Sequence, residues 1–130
     1  MQVLVFRLGS RVFGVDALSV DVVMEYDSSK ITTFPMTPRG VIGVLPVRGE
    51  FVTVVSPYNE SGEKIVVLRK GTEKIGILVG EVYSLEEVTK TYRIGYGASD
   101  PDRIGYVDTP TAESVIYADA SLFETLVMRE

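Results

Sequence analysis

A chain of 130 residues with 45% hydrophobic and 24% charged positions has the make-up of one globular domain, or of two small subdomains, and can bury a core without disulfides or metals. It holds no cysteine and no histidine, which excludes thiol nucleophiles, thiolate or imidazole zinc sites, and every Ser-His-Asp or Cys-His machine. Its net charge of −5 opposes nucleic acid and anionic membranes as partners.

The first residues, Met1-Gln2-Val3-Leu4-Val5-Phe6-Arg7, lack the basic start and small-residue cleavage site of a secretory signal. The longest apolar run, 40–47, contains Pro46 and is far shorter than the roughly 20 residues that span a bilayer. A cytoplasmic protein without membrane insertion is expected.

Val (21), Ile (8) and Thr (10) are abundant enough to favour strands, because β-branched side chains lose little on a pleated surface. Val3 to Leu8 is apolar on both alternating faces apart from Arg7, and the pattern resumes at Arg11 to Val15 after Gly9-Ser10, a loop suited to a type II′ hairpin. Ala17 to Tyr26 reads as a turn running into a strand. Val41 to Leu45 and Phe51 to Val55 flank Pro46 to Glu50, and Pro46, which cannot donate a ladder hydrogen bond, belongs at an edge or bulge. Ile65 to Leu68 and Ile75 to Val79 flank a third turn, Lys70-Gly71-Thr72-Glu73. Tyr92 to Tyr96, Gly105 to Asp108 and Ser114 to Tyr117 are shorter strand candidates. Ser121-Leu122-Phe123-Glu124 fits a capping box opening a C-terminal helix, with Leu122, Phe123, Leu126 and Val127 on one face. Polar loops at 57–63 and 97–102 are the candidate boundaries. Many short strands with Gly-rich turns and no βαβ rhythm predict a mostly β chain of two small closed barrels.

Chemistry is hard to find. Glu86-Glu87 and Asp100-Pro101-Asp102 are adjacent carboxylates of the solvated kind rather than an acid-base pair. Asp100, Asp102 and Asp108 lack the central Gly and closing Glu of a calcium loop, and Gly95-Tyr96-Gly97 lacks the Gly-Lys-Ser or Gly-Lys-Thr of a phosphate loop. No catalytic residue, metal or cofactor is expected.

One stretch is unusual: Pro38-Arg39-Gly40-Val41-Ile42-Gly43-Val44-Leu45-Pro46-Val47-Arg48-Gly49, followed by a second apolar strand. With Leu4-Val5-Phe6-Arg7-Leu8-Gly9 and Phe13-Gly14-Val15-Asp16 before it, it resembles the CheW-like domain, the coupling module of chemotaxis arrays. Ile65-Val66-Val67-Leu68, Gly71, Ile75-Gly76-Ile77-Leu78-Val79, Val82 and Tyr117-Ala118-Asp119 with Leu122 continue the likeness over nearly the whole chain, and order and spacing together are its specific signal.

The resemblance implies a single domain over 1–130 made of two five-stranded β-barrels packed on a shared hydrophobic core, divided near 57–63, with a short C-terminal helix. It also implies a non-catalytic adaptor that binds the regulatory domain of the CheA histidine kinase and the cytoplasmic tip of a chemoreceptor. By matched position, Arg48 and Gly43 belong to the family motif. Val20 falls where the family's receptor-facing strand residue lies, Leu85 falls on the second barrel where receptor contact is also expected, and Ala17 matches a larger apolar residue of the family's kinase-facing side. Four departures stand out. Pro46 replaces the motif Asn, Ser56-Pro57 replaces Asp-Leu before a shortened loop, Gly80 replaces an Asp, and Val22 stands where some members have a Glu that pairs with the motif Arg. Arg48 is therefore expected to be exposed or to find Asp21 or Glu25, since an unpaired buried guanidinium costs several kcal/mol. Two rivals remain: a small acidic hydrolase, which needs a pocket with converging carboxylates, and a divergent barrel that binds another partner or its own copy.

Overall fold

The computed structural model describes residues 1–58, 60–93 and 104–128, with Met128 described by its backbone only. The chain forms eleven strands and one helix over these residues: β1 (Gln2–Leu8), β2 (Arg11–Asp16), β3 (Val20–Glu25), β4 (Val41–Val47), β5 (Glu50–Val55), β6 (Lys64–Lys70), β7 (Glu73–Val79), β8 (Glu81–Glu87), β9 (Lys90–Arg93), β10 (Ile104–Asp108), β11 (Val115–Ala118) and α1 (Ala120–Met128).

The three predicted hairpins form, each on a two-residue turn. Gly9 takes φ 63° while Ser10 does not, the pattern of a II′ turn. Arg48 (φ 48°) and Gly49 (φ 81°) are both left-handed, so the second turn is tighter than the five-residue loop expected, and the ladder runs through Pro46 and Phe51 to Val47 and Glu50. Pro46 is tolerated because β4 is an edge strand. Ala17–Ser19 is a single 3-10 turn leading into β3, as the sequence suggests.

The strands assemble into two sheets, ordered β8-β1-β2-β11-β10-β9 and β3-β6-β7-β5-β4. This corrects the expectation of closed five-stranded barrels: the sheets have six and five strands, and among the described residues the edge strands of neither sheet pair with each other. In the six-stranded sheet the two edges are nonetheless halves of one bent segment. Val88 donates to the Met1 carbonyl and Thr89 to that of Asp108, so Glu81–Glu87 runs along β1 and Lys90–Arg93 along β10. The loop at 57–63 joins β5 to β6 within the five-stranded sheet, and the chain passes between sheets at Ala17–Ser19 and at Gly80.

Three apolar clusters explain why so many strands are hydrophobic on both faces. Between the sheets lie Leu4, Phe6, Leu8, Phe13 and Val15 of one, Val66, Leu68, Ile75, Ile77 and Val79 of the other, and Phe123 and Val127 of α1. Behind the five-stranded sheet lie Leu45, Val47, Val52, Val54, Ile65, Val67 and Leu78. Behind the six-stranded sheet lie Val3, Val5, Val107 and Val115. Alternate residues of β1 and β6 thus serve different cores, the condition under which a strand reads as a continuous apolar run.

Two local expectations change. Helix α1 begins two residues earlier than the capping box at Ser121 implies: the Asp119 carboxylate accepts from the Leu122 amide at 2.9 Å, making Asp119 the cap, and Ser121 lies inside the first turn. The face of Leu122, Phe123, Leu126 and Val127 packs inward as expected. Strand β8 carried no clear strand signal, because its partly buried residues alternate with the exposed Glu81, Tyr83, Leu85 and Glu87 and a bulge shifts its register on β1.

Candidate functional site

At the end bearing the Arg48-Gly49 and Gly71-Thr72 turns, the five-stranded sheet gathers charged side chains from β3, β5, β6, β7 and the turn after β4. The centre is Asp21, an extra residue where the register of β3 on β6 shifts. Its side chain is 4% exposed, with Oδ1 lying 3.1 Å from Arg69 Nη2 and 3.5 Å from Arg48 Nη1. Oδ2 sits 3.5 Å from Lys74 Nζ, an ion pair too long to be a hydrogen bond, and Lys74 is also 3.2 Å from Glu50.

Arg69 and Lys74 face each other across the β6–β7 hairpin. Like charges in that position repel, and the buried carboxylate between them compensates the repulsion. Asp21→Asn is therefore expected to lower stability by about 1–2 kcal/mol, the scale of a lost charge-assisted hydrogen bond offset by relief of a buried charge. A urea titration reads this, and an unchanged midpoint would show that the network carries no net stability.

The same arginine also holds the chain just before β3. Its Nη1 donates to the carbonyls of Leu18 (3.0 Å) and Val20 (3.2 Å). Asp16 caps the 3-10 turn by accepting from the Leu18 amide at 3.0 Å, and Ser19 Oγ donates back to the Asp16 carbonyl at 2.7 Å. Leu18 consequently stands out from a tied-down turn, 86% exposed.

Three of the five matched residues meet at this corner. Ala17 lies in the turn, half-buried; Val20 opens β3 and packs against the core between the sheets; Arg48, 63% exposed, reaches Asp21 across the gap between edge strands β3 and β4. Arg48 is thus both exposed and paired, as expected. Val22 does not take part: it lines the core behind the sheet, and the adjacent Asp21 supplies the carboxylate.

Gly43 stands apart, buried farther along β4 under the connector that follows β3. A Cβ there would lie 2.4 Å from the Thr32 carbonyl oxygen and 2.7 Å from the Ile31 side chain. Leu85 belongs to β8, beside β1 in the six-stranded sheet, so it shares a sheet with the first hairpin. Its cross-strand partner Leu4 lies in the core between the sheets, and cross-strand partners share a face, which sets Leu85, 57% exposed, at the rim of that core.

Two of the departures make local contacts. A Cβ on Gly80 would lie 2.6 Å from the Arg7 guanidinium, the far end of a side chain that can move aside. Ser56 closes the shortened loop by donating to the Glu60 carbonyl at 2.8 Å and accepting from its amide at 2.9 Å.

The candidate carboxylates are engaged structurally. Glu86 accepts from Thr111 and Ser84, hydrogen bonds that hold its pKa below the usual carboxylate range, and Glu87 pairs with the amino terminus at 3.4 Å. The Asp108 pKa is lowered by the Ser114 amide and the Tyr92 hydroxyl, both donating to it. Asp100, Asp102 and Gly95-Tyr96-Gly97 lie outside the described residues. A depression of about 280 Å³ beside α1 has an apolar floor of Val41, Val55, Ile75 and Val127, and Glu124 on its rim bonds Lys70 at 2.8 Å.

The family model for the CheW-like domain matches residues 2–92. A curated relative, the chemotaxis protein CheW of Klebsiella aerogenes, is 29% identical over 98 residues, covering 68% of this chain and 57% of the relative. The scaffolding protein TtCheW from Thermoanaerobacter tengcongensis shares the fold with a TM-score of 0.57 at 22% identity, over 65% of this chain and 59% of that one. The chain therefore spans less than two thirds of the length of either protein. With a family model matching well over half of its residues, the chain belongs to the CheW-like domain family.

Proposed function

We propose that this domain is a non-catalytic, cytoplasmic adaptor of chemotaxis signalling, which binds the cytoplasmic tip of a chemoreceptor and the regulatory domain of the CheA histidine kinase and fixes their relative placement. The observation that carries this reading is the union, through Asp21, of Val20 and Arg48 at one exposed corner of a CheW-like domain. An apolar strand residue beside an exposed guanidinium suits a protein surface better than a small substrate, and the absence of histidine and cysteine agrees with a scaffold. Ala17 and Leu85 extend the binding surface, Ala17 towards the kinase and Leu85 towards the receptor. Weak contacts suffice inside an array, where neighbours raise the effective concentration.

Calorimetric titration of the domain with a CheA regulatory domain, and separately with a receptor cytoplasmic fragment, tests the proposal. Val20→Asp and Arg48→Ala are expected to weaken receptor binding about tenfold or more with unchanged circular dichroism. A folded domain that binds neither partner overturns it.

A second reading, self-association through an exposed apolar edge, is favoured by Tyr83 and Leu85 on β8, both about half exposed. A concentration-independent monomer in sedimentation would end it.

A further inference from the structure

The guanidinium of Arg69 holds three points of one short segment at once: the carbonyls of Leu18 and Val20 and the carboxylate of Asp21. We propose that Arg69 is a positioning residue that presents Leu18 as a preformed apolar anchor, and that the partner surface receiving it is an apolar pocket edged by carboxylates. The proposal rests on the adaptor reading and names the chemistry of its partner.

Leu18 is 86% exposed, yet it sits on a 3-10 turn fixed from both sides, by Asp16 before it and by Arg69 behind it. A large apolar side chain that is exposed and already ordered loses little freedom on docking, which is the condition for a binding anchor. Lysine cannot replace Arg69 here, because the rigid fork aims one nitrogen at two carbonyls while the other meets the carboxylate.

The surroundings name the rim of the partner's pocket. Arg48, Arg69 and Lys74 stand against Asp21, Glu50 and the Asp16 carboxylate under the turn, so the corner balances in charge and Arg48 is the most exposed of its three cations. The Arg48 side chain is 63% exposed. Carboxylates around an apolar pocket would complement both features.

The test is a double-mutant cycle on the full chain, titrated with the cytoplasmic fragment of a chemoreceptor from the same organism. Leu18→Ala is expected to weaken binding about tenfold and Arg69→Lys by a similar factor, with the double variant little worse than Arg69→Lys alone. Additive losses, or no loss on Leu18→Ala, overturn the anchor. In the free chain, the Val20 amide, which donates to the Ala17 carbonyl, is expected to exchange faster in Arg69→Lys while the amides of Val66 and Ile77 keep their rates. Equal exchange at Val20 overturns the clamp. If the wild-type chain binds no receptor fragment, the anchor falls with the adaptor reading, and the exchange rates judge the clamp alone.

Discussion

Replacing Phe123 with alanine is expected to cost about 3–5 kcal/mol and to lower Tm by roughly 10–20 °C, the largest effect of any single truncation considered for this domain. The ring is wholly buried between the two sheets. Its centroid lies 5.4 Å from that of Phe13 and 6.1 Å from that of Phe6, and those two rings are themselves 6.1 Å apart. Phe6 and Phe13 are cross-strand partners on β1 and β2, so neither can move to fill the space without disturbing the first hairpin. The lost contacts would also loosen α1, leaving Leu122, Leu126 and Val127 to hold it on the core, since the Lys70–Glu124 pair is a surface contact worth little. Phe51→Ala is the control: that ring is 81% exposed, and its loss is expected to change stability by about 0.5 kcal/mol or less. Chemical denaturation of both variants checks the pair, and a Phe123→Ala cost below about 1.5 kcal/mol would mean that the core between the sheets collapses onto the cavity.

The elements most legible in the sequence are those whose local chemistry and burial agree. Gly9, Gly49 and Gly71 each adopt positive φ in a two-residue turn, so the hairpins could be read from glycine between apolar runs. Strand β8 was not legible, because an edge strand with outward Glu81 and Glu87 and a bulge opposite Val5 and Phe6 keeps only half of the alternation. Sheet closure was misjudged for a related reason. Whether Val88 and Thr89 bend one strand onto two neighbours is decided by the carbonyls of Met1 and Asp108, far away in the chain.

At the candidate site, Val20, Arg48 and Ala17 were placed by position in the family motif, whereas Arg69, Lys74 and Leu18 were not seen. A signal for two of them exists: once the β6–β7 hairpin is assigned, Arg69 and Lys74 fall opposite each other, and two facing cations ask for an anion between them. That the anion is Asp21 depends on the register shift in β3, which no local pattern announces.

Gly43→Ala is expected to cost about 2–4 kcal/mol, and it separates two roles that the family motif leaves joined. The added Cβ would lie 2.4 Å from the Thr32 carbonyl oxygen, a backbone atom that cannot swing aside as a flexible side chain would. That oxygen accepts from the Val44 amide at 2.9 Å, and the Thr32 amide donates to the Val44 carbonyl at the same distance. Pushing the connector away therefore breaks the reciprocal pair that fastens it to edge strand β4, and also lifts Ile31 from the core behind the sheet. If Gly43 matters only as backbone, the variant unfolds at lower denaturant while its folded fraction binds a receptor fragment with wild-type affinity. If Gly43 is itself a contact, affinity falls when the loss of folded molecules has been accounted for. Its burial beneath Ile31 and Thr32, on a strand that reaches the corner only through the turn after it, where Arg48 stands, makes the first outcome the expected one.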